Sequence, residues 1–427
     1  MRKVKPDEYF NNGVYELARF GNVVHTKNNM NISQNEMMKR HMAGKLDDTI
    51  SSINKLVSTI RLKVSAVDPL NLMNYLTSMN FLIMLNKLSE ADFSGEENMQ
   101  LRCVEYVQSI LVSTKLIYDE EVDNENTYRE ILQLSTELYS LLPSYYFQWS
   151  YKVDLEQEFS LEEQEYIVLS QLMLQVRGTQ YQEFRVPILE ALIKPHNEEI
   201  IEAYGITYDV IIDGLIKLER NLSSGRLDSF EKLRNQMDKL SGFADEIPQD
   251  YLDYSREIVM EAVGVDLFDI KKATNWPEDL INDLSYRIGE ETSFFENEKY
   301  VGWPIANLPI QRKPFIRING ISYCFDYYVL FDYFYRAFQK VLVSRNEHGI
   351  DKWNETQGHC CEDIVADIFA ILLPGCNLYK SNHYPVGKKD NAENDILITY
   401  KDALFIIEVK AGAFTPTPAI TDLAAHK

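Results

Sequence analysis

Long apolar runs are missing from this sequence. No stretch approaches the roughly eighteen uncharged apolar residues of a membrane span, so none is expected. The N-terminus, Met1 to Glu8, is basic and then acidic with no apolar run behind it, so a secretory signal peptide is not expected either. Cysteine is scarce. Cys103, Cys324, Cys360, Cys361 and Cys376 form no CxxC pair and no even framework, which excludes a disulfide scaffold and fits a reducing, cytoplasmic setting. The adjacent Cys360 and Cys361 read as small apolar helix residues rather than metal ligands or redox centres. Basic residues are also short. The chain has 43 Lys and Arg against 65 Asp and Glu, a formal net charge of −22. That balance argues against a protein whose whole surface binds nucleic acid.

The deficit of positive charge is uneven. Residues 301–427 carry 13 Lys and Arg against 14 Asp and Glu, leaving 30 against 51 for residues 1–300. The acidity therefore belongs to the N-terminal part. A near-neutral C-terminal part with a local basic groove can still hold DNA, especially with metal ions screening the site. The chain has 427 residues, 45% hydrophobic and 25% charged, enough for two or three domains with buried cores.

Residues 1–300 read as a large all-α region. Ile50, Ile53, Leu56, Val57, Ile60 and Val64 recur at the spacing of one helix face. The same spacing predicts helices over 70–88, 101–117, 130–142 and 161–176. A boundary near Pro143–Asp154 would divide this part into helical regions 1–150 and 151–300. Glu198 to Arg220 has the outline of helix, Gly205 turn and helix. Its second helix offers Asp209, Asp213 and Glu219 with only Lys217 and Arg220 as bases, so a plain helical hairpin fits better than a DNA-reading unit.

The pattern changes at 301–350. Phe315 to Ile318 and Ile321 to Phe325 are β-type runs joined by Asn319-Gly320, a strong hairpin signal. An aromatic helix from about Tyr328 to Val343 follows. Leu330, Phe331, Phe334, Phe338 and Leu342 at helical spacing suit a core better than a base-stacking platform. This block reads as a connector packed on a C-terminal domain, 351–427.

That last segment reads helix, strand, strand, strand: Gln357 to Leu373, Asn377 to Tyr384, Asp395 to Tyr400 and Ala403 to Lys410. The last two strands are rich in Ile, Leu and Phe, as strands buried in a sheet are. A two-residue turn at Lys401-Asp402 would set Tyr400 opposite Ala403 and Thr399 opposite Leu404. Asp395 would then face Glu408, and Glu393 would face Lys410. Directly opposed carboxylates repel, and a divalent cation with a preference for oxygen ligands converts that cost into binding. Glu408 and Lys410, two apart on a strand, point to one side. A metal beside a lysine is a workable hydrolytic site. Glu362 heads a helix stripe with Ala366, Phe369 and Leu373, so it should face the sheet, whereas Asp363 and Asp367 lie on solvated faces. The alternative is that Glu393, Asp395, Glu408 and Lys410 make surface ion pairs at a sheet edge, which the apolar character of both strands opposes.

Glu362, Glu393-Asn394-Asp395-Ile396-Leu397-Ile398 and Phe405-Ile406-Ile407-Glu408-Val409-Lys410 together resemble the PD-(D/E)xK, or restriction-endonuclease-like, nuclease superfamily, in the branch whose second motif is Glu-x-Asp. The resemblance covers about 355–427. It implies an α+β multidomain chain in which the all-α region precedes a restriction-endonuclease-like core of helix and mixed sheet. It implies Mg²⁺, with Mn²⁺ as the alternative ion, held by Asp395, Glu408 and the main-chain carbonyl of Val409. Glu362 would support the metal or its waters, Lys410 would position the attacking water, and Glu393 would be a lesser member. The implied activity is endonucleolytic cleavage of DNA. The Pro-Asp form of the motif is absent. The superfamily core continues with a helix and at least one more strand, but only Pro418 to Lys427 remain, so the core is expected to be incomplete at its C-terminus or completed otherwise. The helix residue used there, often Gln, has only His426 as a weak counterpart. Large helical regions fused to such nucleases occur in bacterial defence against foreign DNA. The competing expectation is an inactive nuclease-fold scaffold that binds a protein partner through its acidic helices. The sequence assigns no oligomeric state.

Overall fold

The computed structural model describes residues 5–20, 23–85, 93–156, 182–240, 247–296, 300–305, 308–345, 349–386 and 390–410. The chain is mixed α+β with small three-stranded sheets. It divides into two compact units, one of Met1–Val57 with Glu137–Val176, the other of Ser58–Thr136 with Arg177–Lys427.

The first unit begins with an antiparallel meander of β1 (Glu8–Asn11), β2 (Tyr15–Phe20) and β3 (Val23–Asn28). The N-terminal region is helical, as expected, but this meander corrects the all-α reading of it. The turn signal was present: Asn12-Gly13 lies between β1 and β2, Gly13 takes φ +85°, and the Asn12 side chain accepts the amides of Val14 and Tyr15. The strands were hidden because β1 buries nothing; Tyr9 and Phe10 are exposed. Helix α1 (Ile32–Ala43) follows, opened by a reciprocal cap between Asn31 and Gln34. Its Lys39 pairs with Asp154 in the later segment of the same unit.

Two helices run through both units, α2 (Leu46–Ala66) and, later in the chain, α5 (Glu125–Glu156). Pro143 lies inside α5, whose helical backbone continues to Glu156, so the chain does not break at Pro143–Asp154. Between them come α3 (Pro69–Leu85) and α4 (Gly95–Ser113). Helix α4 stops short of Ile117 because Thr114 turns extended, with φ −134° and ψ 134°. Its start is fixed by a Ser94–Glu97 capping box. The helix expected over 161–176 lies outside the described residues.

The second unit continues with α6 (Gln182–Ile193), α7 (Asn197–Tyr204), α8 (Tyr208–Ser223), α9 (Gly225–Leu240), α10 (Gln249–Val263), α11 (Ile270–Ala273) and α12 (Glu278–Asp283). Helices α7 and α8 are the expected hairpin, turned by Gly205 at φ +68°. The buried face of α8, Ile211, Ile212, Leu215 and Leu218, packs into the main core, while Asp213 and Lys217 pair outside. The structure thus uses this hairpin for packing.

Strand β4 (Ser285–Arg287) precedes α13 (Pro309–Arg312), β5 (Phe315–Ile318) and β6 (Ile321–Tyr323). The predicted hairpin of β5 and β6 forms, with Asn319 and Gly320 both at positive φ. β4 adds to β5 in parallel, a partner that three residues of sequence do not announce. Helix α14 (Tyr327–Ser344) matches the predicted aromatic helix. Leu330, Phe334 and Phe338 are fully buried, and together with Trp276 and Phe315 they form the centre of the core. The stripe is therefore core rather than a stacking platform.

Helix α15 (Gly349–Leu372) joins this core to the last sheet, β7 (Asn377–Val386), β8 (Asp390–Tyr400) and β9 (Ala403–Ile407). Its Trp353 donates to the Tyr335 hydroxyl at 3.1 Å, and that hydroxyl donates to Gln357 at 3.0 Å. The last sheet was expected to be mixed; its described strands are antiparallel throughout. Among the described residues no helix is long and apolar enough to cross a membrane.

Candidate metal centre

Ala366, with Val365, Phe369 and Leu373, lays one side of α15 against Ile396 and Ile398 of β8. Leu378, Ile407 and Val409 close the same small core. Gly375 at φ +84° reverses the chain into β7, a conformation that suits glycine.

The predicted register of the last two strands is observed. Tyr400 pairs with Ala403 across Lys401-Asp402, Thr399 with Leu404, and Ile396 with Ile407. Lys401 accommodates the tight turn at φ +53°. The next rung would join Asp395 and Glu408. The ladder stops one residue earlier, and the amide of Val409 instead donates to Asp395 Oδ2 at 2.5 Å. Lys410 Nζ lies 2.7 Å from Glu408 Oε1. The hydrogen bond and charge of Glu408, with a smaller contribution from Asp395, raise the Lys410 ammonium above its usual pKa. Asp395, midway along β8, and Glu408, Val409 and Lys410, just past the end of β9, therefore lie where the two strands part. Asp395 is half-buried, and Glu408 and Lys410 are exposed.

Side chains alternate across a sheet. Ile396 and Ile407 point toward α15, so Asp395 and Glu408 belong to the opposite face. Glu362 is on α15. Its side chain is 20% exposed and heads the stripe that faces the sheet, as its spacing predicts. His359 Nδ1 is 3.8 Å away, and Glu362 is among the acids that raise the Lys380 ammonium, after Asp363 and Asp367. Among the described residues the ion-pair neighbour of Glu362 is His359, and Lys380 itself pairs with Asp363. Among the described residues no group of three or more His, Cys, Asp or Glu is gathered closely enough to hold a metal ion.

Glu393 is exposed and shares the face of Asp395. It lies opposite His383, with Nε2 and Oε1 3.9 Å apart, rather than opposite Lys410, which turns to Glu408. His383 escaped the sequence reading because only the β7–β8 register brings it there. Asp363, read as solvated, is exposed and pairs with Lys380. Cys360 and Cys361 are half-buried on α15, and burial is the main cause that raises both thiols. His426 and Pro418 to Lys427 lie outside the described residues.

Among the described residues β9 is an edge strand with α15 on one face, and Leu404, Phe405 and Ile406 are 60%, 38% and 63% exposed rather than buried in a sheet. No family model matches the chain, and no curated protein or solved structure matches it either.

Proposed function

We propose that the C-terminal segment is a restriction-endonuclease-like core that hydrolyses phosphodiester bonds of DNA with Mg²⁺. The acidic helical part would then be a regulatory or partner-binding region. One observation carries this reading. The turn at Lys401-Asp402 sets a register that gathers Asp395, Glu408 and Lys410 at the point where β8 and β9 separate.

The donor set suits the ion. Mg²⁺ is commonly held by one or two carboxylates, with water completing its shell. Asp395 Oδ1 remains beside the oxygen bonded to Val409, and Glu408 Oε2 beside the one bonded to Lys410. These carboxylates, with the Val409 carbonyl, would hold the ion, which supplies charge neutralisation and a more acidic bound water. The Val409 amide fixes the Asp395 carboxylate in place. The Lys410 ammonium presents a positive donor to a phosphate oxygen or an attacking water.

Supercoiled plasmid incubated with Mg²⁺ or with EDTA tests the proposal. Nicking should require Mg²⁺, and Asp395→Ala or Lys410→Ala should each lower the rate by about 10²-fold or more. Absence of nicking together with absence of Mn²⁺ binding would remove the nuclease reading. It would favour a second one, a nuclease-fold scaffold without activity. That no third acid gathers with Asp395 and Glu408 among the described residues speaks for that alternative.

A further inference from the structure

Asp395 holds a singular place in the last sheet. The β7–β8 register runs from Val386–Asp390 to His383–Glu393 and Asn382–Asn394, then resumes at Lys380–Ile396 and continues to Asn377–Thr399. It passes over Ser381 and Asp395. The β8–β9 register ends at Ile396–Ile407, so it does not take in Asp395 either. Every other residue of β8 is paired with a neighbouring strand.

The break coincides with the backbone of Ser381, whose φ is +51°. Antiparallel strand residues sit near φ of about −140°, and a residue with a Cβ seldom enters the left-handed region. Burial does not force the kink, because Ser381 is exposed. Its neighbours hold it there. The rungs at Lys380 and Asn382 fix the chain on both sides, and Asn382 Nδ2 donates to the Tyr379 carbonyl at 2.9 Å, a bond that spans the kink. Such conformations persist only where the surroundings impose them, and they cluster at functional sites. Were β7 regular here, a Ser381–Asp395 rung would tie down the main chain of Asp395 and set the two side chains about 4.5–5.5 Å apart at Cβ. With that rung open, the β7 flank of Asp395 gives room to an ion and its waters, while the Val409 amide holds Oδ2 from the β9 side.

We infer that Ser381 is a positioning residue of the candidate metal centre: its left-handed backbone parts β7 from β8 at Asp395 and opens that side of the carboxylate to Mg²⁺. Ser381 has this role only if Asp395 and Glu408 bind the ion as proposed.

A series of variants of the full chain separates the backbone of Ser381 from its hydroxyl. Glycine and asparagine accept positive φ, whereas threonine keeps the hydroxyl but its branched side chain favours the extended strand. The Mn²⁺ binding that Asp395→Ala removes is followed by the paramagnetic resonance of the free ion, beside plasmid nicking and thermal unfolding. Ser381→Thr should weaken that binding by about tenfold or more and slow nicking, and Ser381→Gly and Ser381→Asn should restore both. Should Ser381→Thr melt early, Ser381→Ala decides, because its Cβ still opposes positive φ without the branch. Equal Mn²⁺ affinity across the series would overturn the role of Ser381 and leave the metal centre standing. Loss with Ser381→Gly but not with Ser381→Thr would also overturn it, by assigning the effect to the hydroxyl. Absence of Mn²⁺ binding in the unsubstituted protein would instead remove the metal centre, and this role with it.

Discussion

Two helical glycines should answer the same substitution with opposite signs. Gly214 lies in α8, where an added Cβ would sit 2.1 Å from Trp276 Nε1 and 2.4 Å from its Cε2. The indole has nowhere to retreat. It is fully buried, stacked on Phe334 at 5.5 Å between centroids, and held by a 3.1 Å bond from Nε1 to the Val210 carbonyl. Gly214→Ala therefore overpacks the core, at a cost of about 1–3 kcal/mol. Breaking the buried indole bond adds about 1–3 kcal/mol. Alanine's better helix propensity returns about 1 kcal/mol. The net expectation is a loss of about 1–5 kcal/mol, or a fall in Tm of roughly 2–7 °C. Gly358 lies in α15 with nothing within 4 Å of its added Cβ. There Gly358→Ala should gain up to about 1 kcal/mol. Thermal unfolding at one scan rate, followed by circular dichroism and tryptophan fluorescence, compares the variants directly. The packing argument fails if Gly214→Ala is as stable as the unsubstituted protein, or if both variants shift the same way.

Other outcomes follow from the same geometry. Glu362→Gln should lower plasmid nicking by less than about tenfold, well short of Asp395→Ala, because among the described residues no third acid gathers with Asp395 and Glu408; equal losses would refute that. Burial raises the pKa of Glu219, opposed by its bond from Tyr327 and the charge of Arg185. The folded state therefore holds this proton more tightly than the unfolded chain, so stability falls as pH rises upward from the ordinary glutamate value. Glu219→Gln should flatten that decline in unfolding measured across pH 4–7, and an unchanged slope would count against it. Burial pushes the Cys103 thiol up to about 12 and raises Cys324 as well. Neither should react with a thiol reagent at pH 8 until the protein is unfolded; prompt native labelling of either, read by peptide mass, would contradict the burial.

Local chemistry determined much of this chain. Asn319-Gly320 dictates a hairpin because both positions accept positive φ. The period of Ala366, Phe369 and Leu373 fixes which side of α15 meets the sheet, and the short turn at Lys401-Asp402 fixes which residues of β8 and β9 pair. These signals are written in neighbouring residues, so no distant partner was needed to read them. Other features depended on segments far apart in sequence. Tertiary packing decided that β4 joins β5 and that α15 covers one face of the last sheet, with Leu404 and Ile406 exposed among the described residues. It also buried Arg226 between Asn74 and Ala262. Periodicity gives a residue's face on its own element. Which element comes to meet that face is set by the competition among all the apolar surfaces for burial, and that competition is settled only when the whole chain folds.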